Sequence, residues 1–341
     1  MIDTKEVYGL LTKLIGGKGV SGLECDAAAV AEKELSKYMS VRRDALGNVI
    51  GEAQNAKDSI LLDAHIDQIG MIVTAIADDG FIKIDKCGGM DMRVLSSHEV
   101  VINGKEEVYG VITSVPPHLL KDEKSVPKWS DISVDVGMSA QKARELISVG
   151  DRVTFIPSER KLLSDHITAP SIDDRAGIAA ILRTLSILKE RNCNKNVSVV
   201  FSVQEEVTGA GATAGAYQSD AHTAIAVDVS FATCPDVSDE KGKPLGSGPL
   251  VGISPVITKS VSDTLISLAK ENSIPYETEV MGSRTGTNTE NYALSKGGRK
   301  TGLVSIPIRN MHTAVEVCKL SDIEYTAQLL ALYIEKGEND A

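Results

Sequence analysis

Five short polar clusters interrupt apolar stretches of the 341-residue chain. They are "AHID" after "SILLD", "SIDDRAG" ahead of a long helical pattern, "QEEVTG" after "VSVVFS", "VDVS" ending "TAIA", and "RNMHTAVE" after "GLVSIPI". Between them they carry His65, Asp67, Asp173, Asp174, Glu205, Glu206, Asp228 and His312. Taken singly, each has an ordinary structural use. A strand-end histidine such as His65 serves as a hydrogen-bonding group, Asp173 suits the cap of a helix starting at Asp174, and Glu205–Glu206 suits an exposed loop. Asp228 fits least well, because a carboxylate in an apolar strand needs a partner. Taken together, two imidazoles and several carboxylates at successive strand ends form an N/O donor set suited to zinc, cobalt or manganese.

Charge decides how many ions such a set would hold. One divalent ion beside Asp173, Glu206 and Asp228 leaves the site negative, whereas two leave about one positive charge to polarise a carbonyl and activate water. A shared carboxylate can bridge the pair, and a further carboxylate outside the ligand set can act as general base. Adjacent glutamates then have separate tasks. Neighbouring side chains of a strand point to opposite faces, so the chain must turn before both face one site. The glycines of "VTGAGATAG" are expected to supply that turn.

The elements that must position these groups are legible from periodicity. "TKEVYGLLTKLI" and "DAAAVAEKELSKYM" read as helices, the second with Asp26 as its expected N-cap. "DALGNVIGEA" reads as a turn into a strand, and "DSILLDAH" as a short buried strand. After Asp67 the texture changes. "GMIVTAIADDGFIKID" and "EVVINGKEEVYGVITSV" are strands broken at Asp79-Gly80 and Asn103-Gly104, both hairpin signals. "DISVDVG", the short helix "SAQKARELI" and "DRVTFIP" complete this β-rich stretch. From "SIDDRAGIAAILRTLSILKE" onward, strands at "NVSVVFSV", "TAIAVDV", "PLVGI" and "KTGLVSIPI" alternate with helices, including ones near 261–272 and 319–336. The expected fold is α/β, with a mostly parallel or mixed sheet flanked by helices. Residues 1–67 and 167–341 would form the catalytic domain, interrupted by an inserted β-rich domain at 68–166. Ligands of open parallel sheets bind beyond the carboxyl ends of the strands, where the five clusters fall.

Composition excludes several classes. A net charge of −11 with 4% aromatic residues offers neither a basic footprint nor stacking platforms for nucleic acid. Five scattered cysteines without C-x-x-C spacing argue against a thiolate metal site and fit a reducing compartment. Neither a secretory h-region nor an apolar run near the ~20 residues of a membrane span is evident. A cytoplasmic protein without membrane partners is expected.

The ordered motifs "GVSGLE", "DALGNVIG", "AHIDQIG", "RVLSSHEVVINGK", "GVITSVPPHLL", "SIDDRAG", "QEEVTGAGA", "AVDVSFA", "TGTNTENYALSKGG" and "SIPIRNMHTAVEV" resemble those of the tetrahedral (TET) aminopeptidases. These are dinuclear metallo-aminopeptidases that include glutamyl and deblocking enzymes, some of them labelled endoglucanases. The resemblance implies two divalent ions per subunit. His65 and Asp228 would hold one, Glu206 and His312 the other, with Asp173 bridging them and Asp67 orienting His65. Glu205 would be the general base, taking a proton from the attacking water and returning it to the leaving amine. The inserted segment would be a dimerisation domain, its dimers assembling into a hollow dodecamer. Short peptides are the implied substrates.

Four positions depart from the family pattern: Gln68 and Asn288 stand where acids are common, and Asn310 and Thr313 where an aromatic residue and a serine are expected. Gln68 in place of an acid suggests tolerance of an acidic N-terminal residue, which Arg284 or Arg309 is expected to attract. His98, His118, His166 and His222 are expected to be structural or surface groups. Three rivals share some features. A glycoside hydrolase also uses paired carboxylates, but would not need His65 and His312. A catalytically silent shell protein would be expected to have lost a ligand or Glu205. Another dinuclear amide hydrolase, such as a deacylase or carboxypeptidase, would use the same donor set.

Overall fold

The computed structural model describes residues 2–53, 59–119, 126–194, 196–235, 237–238 and 240–336. Leu120, the last residue of "GVITSVPPHLL", lies outside them, as do the outermost residues of the chain. The centre of the molecule is an 11-stranded mixed sheet. Four of its strands run parallel side by side, in the order Val197–Ser202, Ile60–His65, Thr223–Phe231 and Lys300–Arg309. The first two are buried along their whole length and the third at every residue but Phe231. That burial is why they read as continuous apolar runs.

Helices Lys5–Ile15, Cys25–Leu35, Ile172–Glu190 and Leu320–Lys336 pack on the sheet through Leu11, Ile181, Leu185, Ile225, Val304 and Leu330. Asp26 is not the N-cap of the second helix. That helix begins at Cys25, its cap position is Glu24, and Asp26 falls in the first turn, where a negative charge favours the helix dipole. Nor does Asp173 cap a helix starting at Asp174: the element begins at Ile172 with Ser171 ahead of it, and Asp173 itself has non-helical dihedrals.

Six antiparallel strands between Gly70 and Phe155 close into a separate barrel around Met71, Ile84, Ile102, Val134 and Phe155. Both hairpin signals mark reversals in it. Gly80 takes φ +93 between Gly70–Ile76 and Ile82–Cys87, where a Cβ would strike the Met138 carbonyl. Asn103 pairs with Glu107 across the second reversal. His98 packs edge-on against Phe155 inside this barrel. Among the described residues no helix is long and apolar enough to cross a membrane.

Candidate active site

Two of the parallel strands end at the same level, and a third runs on beside them. Ser202 lies opposite His65, and Ala226 opposite Asp63, which sets Asp228 beside His65. After Ser202 the chain turns at Gln204, which adopts the left-handed conformation at φ +60. The turn therefore precedes the glutamate pair, and Gly209 supplies a second left-handed position beyond it. His312 follows the strand Lys300–Arg309 in a loop where Asn310 and His312 both have positive φ. Asparagine tolerates that conformation better than a bulky aromatic, which accounts for Asn310. Thr313 closes the same loop by donating to the Asn310 carbonyl.

These turns bring His65, Asp173, Glu205, Glu206, Asp228 and His312 to the wall of one cleft of about 550 Å3. Asp173 is the centre. Its Oδ1 lies 3.0 Å from His65 Nε2, and its Oδ2 lies 3.3 Å from His312 Nε2. His65 Nε2 is also 3.8 Å from Asp228, and His312 Nε2 is 3.4 Å from Glu206. Two donor groups result, His65–Asp173–Asp228 and Asp173–Glu206–His312, each with its atoms within 4.8 Å of one another.

Protein charges alone leave this cluster unbalanced. Burial, reinforced by neighbouring carboxylates, pushes Asp228 and Glu206 well above the usual carboxylate range. Glu205 is pushed up to about 7, again by burial first, then by the charges of Asp173, Asp67 and Asp63 against the pull of His65. Asp173 goes the other way: burial would raise it, but hydrogen bonds from His312 and His65 hold it well below the usual range. Glu206 Oε1 is buried with no hydrogen-bond partner. An orphaned buried oxygen and excess negative charge beside two imidazoles are what a pair of divalent cations would satisfy, so the residues fit that group.

A layer of buried carboxylates fixes the backbone beneath the cleft. Asp67 accepts from the N–H groups of Glu205 at 2.9 Å and Glu206 at 3.2 Å, and from Ser21 Oγ at 2.6 Å. The contact it makes with His65 Nδ1 comes from its backbone carbonyl at 2.9 Å, while its carboxylate is 3.6 Å away. Asp174, joined to Asp173 by a cis peptide, accepts from the N–H groups of His65 and Gly177. Arg175, fully buried, is the counter-charge facing Asp67, Asp174 and Glu24. The inserted barrel touches this layer: Arg152 Nε donates to the Ser21 carbonyl at 3.0 Å. It also reaches the cleft, where a Cβ on Gly89 would lie 3.0 Å from His312 Nδ1.

Sequence reasoning missed Glu316. Its Oε1 accepts from His312 N–H at 2.9 Å and its Oε2 from Asp173 N–H at 3.0 Å, tying together the two residues that share an edge of the site. The available signal was an acid four residues after His312 in "RNMHTAVE". Glu316→Ala should weaken binding of a divalent metal by roughly 10- to 100-fold, the usual effect of losing a group that orients ligands. A metal titration giving wild-type affinity would refute this role.

The departures at 68 and 288 also find physical reasons. Gln68 is buried and paired with Val20 through its main chain, away from the cleft wall. Arg309 donates to the Thr233 carbonyl, and Arg284 is exposed next to Thr285, which lines the cleft; neither arginine is itself in the cleft wall. Asn288 donates through Nδ2 to Asp63 at 2.8 Å and to Ser202 Oγ at 2.9 Å, all buried. An aspartate there would oppose Asp63 and remove the amide donor that Asp63 and Ser202 share. Asn288→Asp should lower stability by about 3 kcal/mol, the scale of an uncompensated buried charge. Denaturant unfolding should show the loss, and Asp63→Ala in the same chain should recover part of it.

A mixed-sheet α/β fold with a carboxylate–imidazole cleft at its strand ends fits a metal-dependent hydrolase. The chain belongs to the M42 glutamyl aminopeptidase family, which residues 47–329 match. It is therefore an enzyme, a hydrolase that acts on peptides. The lysyl aminopeptidase of Pyrococcus furiosus is 31% identical over 96% of this chain and 97% of its own length. The TET aminopeptidase of a marine sediment archaeon, of the Thaumarchaeota, superposes with a TM-score of 0.93 at 26% identity, covering 98% of each chain. The Pyrococcus horikoshii TET1 peptidase, described as able to assemble into a tetrahedron or a large octahedral shell, has a TM-score of 0.84 at 30% identity over 96% of this chain and 99% of its own.

Proposed function

We propose that the protein removes N-terminal residues from short peptides using two divalent ions per subunit. Asp173 carries the reading, because its two oxygens face the imidazoles of two separate donor groups. His65 and Asp228 would hold one ion, Glu206 and His312 the other, and Asp173 would serve both. Zinc or cobalt suits this N/O set, with manganese also compatible. When bound, the ions supply Lewis-acid polarisation of the scissile carbonyl and a water acidic enough to react near neutral pH.

The chain's own groups handle protons and position. Glu205 lines the cleft but belongs to neither donor group, so its carboxylate is left to accept a proton from the attacking water. It then delivers that proton to the nitrogen of the leaving amine. Asp67 keeps Glu205 and Glu206 at fixed positions through their N–H groups, so that the two side chains do not exchange roles.

A glycoside hydrolase is disfavoured by the cleft wall, whose aromatic lining among the described residues is Phe231. Trp129 packs against the barrel core instead. We take residues 68–166 as the dimerisation domain, since the barrel exposes Tyr109, Val111 and Val115 to solvent. Assembly of such dimers into a dodecamer would follow a solved TET1 relative, 30% identical, described as a dodecamer, and a cytoplasmic location would fit the cysteine usage. Incubation of one peptide with a free and with an acetylated N-terminus tests the reading. The free peptide should be shortened from its first residue and the acetylated one spared; equal turnover would favour a deacylase.

A further inference from the structure

The loop that carries Glu205 and Glu206 is gripped at both ends by one side chain that the proposed chemistry does not use. Asn48 closes "DALGN" and is fully buried. It stands just ahead of the strand Val49–Gly51, in which Val49 pairs with Phe201. Its amide therefore sits where the chain leaves the strand Val197–Ser202 and enters the helix Ala210–Gln218. Asn48 Oδ1 accepts from Val203 N–H at 3.0 Å, and Nδ2 donates to the Gly211 carbonyl at 2.9 Å. Gly211 N–H in turn donates to the Val203 carbonyl at 3.1 Å, so residues 203–211 form a loop with touching ends. A Cβ on Gly211 would lie 2.5 Å from Asn48 Oδ1, which is why a glycine stands there. Nδ2 also donates to Asp44 Oδ2 at 2.7 Å, and Asp44 is itself fixed by the N–H groups of Leu46, Gly47 and Asn48.

We infer that Asn48 is a positioning residue, which sets where Glu205 and Glu206 stand by clamping both ends of their loop. Asp67 holds the middle of the same loop through the N–H groups of the two glutamates. A side-chain amide meets both demands at the ends, an acceptor for Val203 and a donor for Gly211. An aspartate would set a second oxygen against the Gly211 carbonyl and the Asp44 carboxylate. A leucine of similar size would leave the Val203 N–H and the Gly211 carbonyl without this partner. The inference rests on the two-metal reading. Only the second donor group, Asp173–Glu206–His312, has a member in the loop, so loss of Asn48 should act on one ion and spare the other.

The test sets Asn48→Ala beside Leu268→Ala, a core deletion on the helix Lys259–Glu271 that lowers stability without touching the loop. In metal-free protein, hydrogen exchange within residues 203–211 should quicken roughly tenfold in Asn48→Ala and stay at the wild-type rate in Leu268→Ala. Metal titration of Asn48→Ala should show one ion at wild-type affinity and a second weakened by roughly 10- to 100-fold. Turnover should fall by up to about 100-fold, the usual scale for reacting groups displaced by a remote substitution. Leu268→Ala should keep both ions and wild-type turnover. Asp44→Ala leaves Asn48 in place and removes the carboxylate behind it, so the same losses should appear at smaller size; if Asn48→Ala does not fold, this variant carries the test. Wild-type exchange at 203–211, equal weakening of both ions, or the same losses in Leu268→Ala would overturn the proposal. If the wild-type protein binds no pair of ions, the two-metal reading fails, and exchange in the metal-free protein still decides whether Asn48 holds the loop.

Discussion

Glu205→Gln should bind two divalent ions with wild-type affinity and lose about 10²- to 10⁴-fold in kcat, the range for removing a positioned general base. Glutamine keeps the shape and the main-chain N–H that Asp67 accepts, so the turn after Gln204 should be undisturbed. Its amide cannot take a proton from water. Glu205 is suited to the exchange because it lines the cleft while belonging to neither donor group. Steady-state kinetics with metal analysis of the same sample separates the two properties. Wild-type turnover would move the base to another group.

Asp173→Ala should fail in both respects. Its carboxylate is common to the two donor groups, whereas His65 and Asp228 belong to one and Glu206 and His312 to the other. Removing it leaves each group with one imidazole and one carboxylate, too few for tight tetrahedral binding. Metal content should fall below one ion per chain and peptide hydrolysis to background. The contrast with Glu205→Gln is what matters: one substitution removes proton transfer from a loaded site, the other unloads it. An Asp173→Ala protein that keeps both ions would show that the carboxylate is a structural partner of His65 and His312.

Much of this was legible in the sequence, and the reasons differ by element. The parallel strands are buried on both faces, so their apolar runs are continuous and their polar ends stand out as "AHID", "QEEVTG" and "VDVS". Local chemistry announced the barrel reversals at Asp79-Gly80 and Asn103-Gly104. The turn before the glutamates was not legible, because glutamine is no signal for a left-handed residue and the nearby glycines drew attention downstream. Glu316 was hidden for a different reason. Its partners are main-chain N–H groups at Asp173 and His312, and the first of them lies 143 positions away in sequence. Asn288 read as a departure until the structure placed Asp63 against its amide.

The most direct test strips the protein with a chelator and adds zinc or cobalt back while release of the N-terminal residue from a peptide is followed. Activity should be absent after stripping and should saturate at two ions per chain. Full peptide hydrolysis in the presence of the chelator, or saturation at a single ion, would contradict the two-metal account.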